Sequence, residues 1–224
     1  MGSEMCIRDR AYTESSGASV ITDTLVLSDV DDMNLERATI QVTGNYINGE
    51  DILSFTDTAT ISSSFDPLTG TLTLMGTDTV ANYQAALRLV TYENLSDDPQ
   101  ASKTVTFTVS DDEFDSNTQN RTINISAVND APVGSAIEQT PLAYAENSGP
   151  SAITNTLVVS DVDDMNLEGA TIQVTGNYIN GEDILSFADT TTISSSFDPL
   201  TGTCLLYTSP SPRDLSTSRM PSSA

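Results

Sequence analysis

Apolar and polar positions alternate along this chain in short runs separated by turn residues. Ala38, Ile40 and Val42 alternate with Thr39, Gln41 and Thr43, and Val105, Phe107 and Val109 alternate with threonines. A period of two marks strands with one face buried. Residues 21–27, 52–55, 58–62, 71–74 and 121–128 read as further strands, the last with Ile123 and Ile125 turned inward. Turn signals punctuate them: Asn48-Gly49 at the tip of residues 45–51, Asp66-Pro67-Leu68-Thr69-Gly70, Asp97-Asp98-Pro99, and a hairpin over residues 111–117. One segment changes period. Val80, Tyr83, Leu87 and Val90 recur at helical spacing behind an Asp78-Thr79 start signal, which predicts a short helix crossing between two sheets. Seven or more strands in about 120 residues argue for an all-β fold, a β-sandwich with one core and one helix.

The pattern then repeats. Residues 14–71 and 146–203 are the same segment twice, offset by 132 positions, with 58 − 8 = 50 of the 58 aligned residues identical. A period of this length means domain-sized units in tandem and not a short-repeat solenoid. The first unit spans residues 11–132. The second, residues 133–203, is truncated: it lacks counterparts of residues 72–128, hence the helix and the last two strands, and is expected to be unstable alone.

The two ends stand apart. Residues 2–9 and the first base of Arg10 can be encoded by GGC TCG GAG ATG TGT ATA AGA GAC A, and the opposite strand in another frame spells Cys204-Leu205-Leu206-Tyr207-Thr208-Ser209-Pro210-Ser211. Two tails that are the two strands of one short DNA resemble a translated sequencing adaptor. Residues 1–10 and 204–224 are therefore set aside from fold reasoning, and no packed role is expected for them.

Charge narrows the function. The chain carries a net charge of −24, and residues 11–203 alone hold 4 basic against 29 acidic residues, a balance of −25. Such a field repels nucleic acid and anionic membrane surfaces. Both cysteines, Cys6 and Cys204, lie in the tails and there is no histidine, which removes thiol and imidazole chemistry and zinc sites built on them. An acidic chain rich in Thr, Ser, Asp and Val fits a secreted, cell-surface protein.

The candidate chemistry gathers where the units join. Pro132 fixes its own backbone and extends Ala131, so Asn129-Asp130-Ala131-Pro132 leaves the last strand as a straight connector carrying oxygen ligands. Asp161, Asp163 and Asp164, early in the second unit, supply more. A lone Asp-x-Asp-Asp is an ordinary solvated turn. Recurrence beside a connector of this kind points instead to a hard divalent cation among clustered carboxylates, with Ca²⁺ favoured over the smaller Mg²⁺.

Three motifs occur in order: Thr69-Gly70-Thr71-Leu72-Thr73-Leu74, Ala81-Asn82-Tyr83-Gln84 and Asn129-Asp130-Ala131-Pro132. Together they resemble the cadherin-like (Ig-like) tandem repeats of large bacterial surface and adhesin proteins, over all of residues 11–203. The resemblance implies calcium at the junction, held by Glu14 near the start of the upstream unit, Asp97 and Asp98 before a late strand, Asn129 and Asp130 on the connector, and Asp161 and Asp163 of the next unit. The chain departs from the cadherin pattern in two places. Glu14 lacks a Pro-Glu-Asn context, and Ala127 and Ala131 stand where the fuller connector has Asp and Asn.

The expected function is a non-enzymatic, calcium-binding structural or adhesive repeat of an extracellular surface protein, stiffened by Ca²⁺ at each join. Its expected partners are calcium, neighbouring repeats of the same chain and a cell-surface protein or glycan, with no membrane insertion. The alternative is a carbohydrate- or matrix-binding accessory module of a secreted enzyme, which an exposed aromatic platform would support. The chain has no Trp, and Tyr46, Tyr83 and Tyr92 fall at turn or core positions.

Overall fold

A computed structural model describes residues 10–208, and these divide into two compact units after Asp163. In the first, the elements run β1 (Arg10–Thr13), β2 (Ser19–Val20), β3 (Asn34–Gly44), β4 (Asp51–Ser54), β5 (Ser62–Asp66), β6 (Thr71–Thr79), α1 (Val80–Leu87), β7 (Thr91–Asn94), β8 (Ser102–Ser110) and β9 (Gln119–Ser126). One sheet has the order β1-β9-β8-β3-β6-β5 and the other β2-β7-β4. Pairing is antiparallel except between β1 and β9, which run parallel. The two inner faces share one core: Ile40, Leu72, Leu74 and Val105 from the larger sheet, Leu53 and Tyr92 from the smaller, and Tyr83 and Leu87 from the helix. The unit is an all-β sandwich, held by removing those apolar faces from water.

The central strand β3 starts four residues before its visible alternation. The ladder to β6 shifts register between Leu35 and Arg37, where Gly76 and Thr77 of β6 stand against Glu36 alone, and across it odd-numbered Leu35 and even-numbered Ala38, Ile40 and Val42 all face the core. A bulge of this kind erases the period-two signal on its N-terminal side. Two other expected strands move for local reasons. Residues 58–61 form a turn in which the amides of Thr60 and Ile61 bond the Thr58 hydroxyl, and the strand is β5, one step later. Residues 21–27 are irregular: only Ser19–Val20 pair, as β2. Ile21 is buried all the same, and the backbone is satisfied elsewhere. Leu27 donates its amide to Gln84 Oε1 at 3.0 Å, and Leu25 accepts from Arg88 Nε at 2.9 Å. Helix side chains thus replace a ladder for that segment.

The helix begins where the sequence predicts. Thr79 is the N-cap, its hydroxyl accepting from Asn82 N at 3.2 Å, and Tyr83, Ala86 and Leu87 are its buried face. It ends three residues before the predicted boundary, and Val90 is buried beyond it. Gly76, at φ +131°, lets β6 pass close to residue 60: a Cβ there would lie 2.0 Å from the Thr60 carbonyl oxygen. After β9 the first unit continues through a short ladder, β10 (Val133–Ser135) with β11 (Val158–Ser160).

The second unit holds β12 (Gly169–Gln173), β13 (Ile193–Asp198) and β14 (Thr203–Thr208), in the order β12-β14-β13. Its registers copy those of β3-β6-β5 at an offset of 132: Ile40 opposite Leu72 becomes Ile172 opposite Cys204, and Phe65 opposite Leu72 becomes Phe197 opposite Cys204. The expectation of no packed role fails for residues 204–208. They take the places of residues 72–76, and Cys204 is buried. A ladder needs backbone donors and acceptors and a small apolar side chain inward, and Cys, Leu and Tyr supply these whatever their origin. Arg10 likewise pairs through its backbone with Ile123. The remainder of the two tails, residues 1–9 and 209–224, lies outside the described residues.

Candidate metal centre

The parallel pairing of β1 with β9 sets Thr13 beside Ser126, so both strands run out at the same end of the sheet. Glu14 and the connector therefore emerge together. The Glu14 amide donates to the Ser126 carbonyl at 3.1 Å, and its carboxylate accepts from Val128 N at 2.7 Å. β7 ends there as well, because the Tyr12 hydroxyl accepts from Asn94 N at 3.1 Å. Asp97 follows three residues later, in the turn that holds the buried Pro99. Three carboxylates distant in sequence, Glu14, Asp97 and Asp130, thus converge with ligand oxygens within 4.8 Å of one another. Two oxygens about 4.8 Å apart can both touch an ion at roughly 2.4 Å, which is a calcium–oxygen distance. Glu14 is buried and the other two are exposed.

The acidic loop closes on the same point. Asp163 accepts from the Asp130 amide at 2.5 Å, and its own amide donates to Asp161 Oδ1 at 3.0 Å. Asp130 is accordingly harder to ionise than an ordinary aspartate: desolvation raises its pKa first, then the charges of Asp163, Asp97, Glu14 and Asp161. That set of four carboxylates facing a fifth is what a cation would relieve.

The remaining predicted ligands are placed differently. Asn129 is turned along the connector, its amide donating to the Asp130 carbonyl at 2.7 Å. Asp98 is exposed and outside the converging trio, and its amide bonds Ser96 Oγ. Asp164 is exposed and is the first residue of the second unit.

A second charged constellation escaped the sequence reading. Asp51 and Lys103 form an ion pair at 2.8 Å with both side chains fully buried. Asp51 Oδ1 accepts from Tyr92 Oη at 2.6 Å and Asn94 Nδ2 at 2.8 Å. Oδ2 accepts from Ile47 N at 2.7 Å and Lys103 Nζ, and Nζ also donates to the Asn45 carbonyl at 2.7 Å. Phase was the available signal. Lys103 is in step with inward Val105, Phe107 and Val109, and Asp51 with inward Leu53.

No family model matches the chain, and no solved structure matches it. It is similar to Halomucin of Haloquadratum walsbyi (strain DSM 16790 / HBSQ001), 33% identical over 86 residues that cover 36% of this chain and 1% of Halomucin. The chain thus spans a very small part of that relative's length. Among the described residues, no helix is long and apolar enough to cross a membrane.

Proposed function

We propose that this chain is a calcium-binding structural repeat of an extracellular surface protein, in which Ca²⁺ fixes the connector leaving the first sandwich. The observation that carries it is the convergence of Glu14, Asp97 and Asp130 within 4.8 Å, on three chain segments that end at one edge of the fold. The relative whose segment it resembles, Halomucin, is a very long protein of which the match covers 1%, and an array of near-identical units suits a filament or adhesive stalk. The role is mechanical. An ion bound to a residue before the sheet's first turn, one in a late turn and one on the connector ties the connector to the body of the sandwich. With the ion removed, like charges repel and the connector bends.

Calorimetric titration of CaCl₂ into the chain tests this. Binding is expected with Kd of order 10⁻⁴–10⁻³ M, the range of extracellular calcium modules, together with a rise in Tm by mass action on the folded state. The triple variant Glu14→Gln, Asp97→Asn, Asp130→Asn should lose both. Absence of calcium binding at millimolar concentration would refute the reading.

A further inference from the structure

The chain has a single lysine, Lys103, and it is buried in the sandwich against a buried aspartate. Buried ion pairs are ordinarily built with arginine, which stays charged and grips a carboxylate with two parallel bonds. Lysine is the cation that can surrender its proton and act as a nucleophile. Around Asp51 the donors are divided. Oδ1 is held by two, Tyr92 Oη and Asn94 Nδ2, at 2.6 and 2.8 Å, the distances at which donors stabilise an oxyanion. Oδ2 faces Lys103 Nζ at 2.8 Å, and the Asn45 carbonyl at 2.7 Å steadies the nitrogen from another side. Burial raises the pKa of Tyr92, and its bond to the Asp51 carboxylate raises it further, so the phenol remains a donor.

We propose that Lys103 and Asp51 condense within the folded first sandwich to form an intramolecular isopeptide bond. One Nζ proton passes along the existing hydrogen bond to Oδ2, leaving a neutral amine and a carboxylic acid. The nitrogen lone pair attacks Cγ, forming the N–C bond, and the negative charge collects on Oδ1 between Tyr92 and Asn94. A second Nζ proton passes to the Oδ2 hydroxyl, the C–Oδ2 bond breaks, and water leaves. Nζ keeps its third hydrogen as the amide N–H, and Oδ1 becomes the amide carbonyl. Nothing is oxidised or reduced and no co-reactant is consumed. Holding amine and carboxyl in contact supplies the effective concentration that free solution lacks, and exclusion of bulk water opposes the return reaction. The bond would join β8 in the six-stranded sheet to β4 in the three-stranded sheet across 52 positions of chain, so the two faces could not be pulled apart without breaking it. Asp183 at the corresponding place in the second repeat also accepts an amide, from Ile179 at 2.8 Å.

Intact mass decides the matter. The chain, purified folded, held at neutral pH and then denatured, is expected to weigh one water less than its sequence. Trypsin is expected to release residues 38–88 and 89–121 as one joined species, uncut after Lys103. Lys103→Arg keeps a cation beside Asp51 but cannot condense, and should have its full sequence mass, as should Asp51→Ala whether or not it folds well. A wild-type chain at full sequence mass that yields free residues 89–103 would overturn the proposal. So would a water loss that persists in Lys103→Arg.

Discussion

Asp130 donates its backbone amide to the Asp163 carboxylate at 2.5 Å, across 33 positions of chain. The bond spends the connector's own donor on the acidic loop, so the two approach without any cation and bring their negative charges together. Asp161 braces the loop from behind through the Asp163 amide. Pre-arranged repulsion of this sort raises the value of an ion that neutralises it, because less ordering remains to be done on binding.

Adjacent aspartates should separate under mutation. Asp97 belongs to the converging trio and Asp98 does not, although both sit in one turn. Asp97→Asn is expected to weaken calcium binding by about tenfold or more, the loss of one charged contact worth roughly 1.5–3 kcal/mol. Asp98→Asn should leave it within about twofold, a difference too small to attribute to a lost ligand. Equal effects in calorimetry would mean that diffuse negative charge and not coordination draws the ion.

Acid should act on the calcium-free and calcium-loaded forms in opposite directions. The pKa of Asp130 is raised in the folded state by desolvation and by Asp163, Asp97, Glu14 and Asp161. The folded form therefore binds its proton more tightly than the unfolded chain does. Without calcium, the contribution of Asp130 to stability declines as pH rises from its ordinary value, 3.8, through the raised folded value, and above that it is destabilising. Calcium competes with the same proton, so affinity should fall as pH drops through that window. Comparing the Tm of wild type with Asp130→Asn across pH 3–7 (a range set by ordinary carboxylate titration, roughly), in chelator and in calcium, should show the Asp130-dependent slope change sign.

Much of this was legible because local rules and tertiary demands agree. The β8 alternation and the Thr79 cap each state their structure within a few residues. The three converging carboxylates were recoverable by resemblance to a known junction, since nothing in local pattern links Glu14 to Asp97. The illegible parts have physical causes. Inward phase reverses where the β3–β6 register shifts beside Glu36, and residues 21–27 look like a strand because Ile21, Leu25 and Leu27 face the core, yet Leu25 and Leu27 bond the Arg88 and Gln84 side chains. Asp51 and Lys103 read as an ordinary turn acid and a solvated base until phase is followed through them.

Gly76→Ala tests the crowding between β6 and the preceding turn. At φ +131°, a Cβ would sit 2.0 Å from the Thr60 oxygen, which is backbone. The turn must then shift, and the backbone conformation alone costs about 1–3 kcal/mol. Chemical denaturation should show a loss above the upper end of that range. Gly49→Ala, also at positive φ but with nothing within 4 Å of its Cβ, should lose only the conformational part. Equal losses would show that the Thr60 contact relaxes freely.

The twin strands offer a control that few proteins contain. β12 repeats residues 37–41 of β3 apart from Gly169 in place of Arg37, and its register toward β14 copies that of β3 toward β6, so the backbone ladder on that edge is the same in both. They differ in what lies beyond. β3 pairs on its other edge with β8 and has Ala38, Ile40 and Val42 buried, whereas every β12 residue but Ile172 is exposed, and from residue 129 to 208 only Gly202 and Cys204 are buried. If tertiary burial supplies the stability of these strands, amides of residues 169–173 should exchange at least about a hundredfold faster than those of residues 37–41, because local opening without a core costs little. The same comparison should hold between β14 and residues 71–76 of β6. Comparable protection in the two copies would mean that the three-stranded ladder stabilises itself.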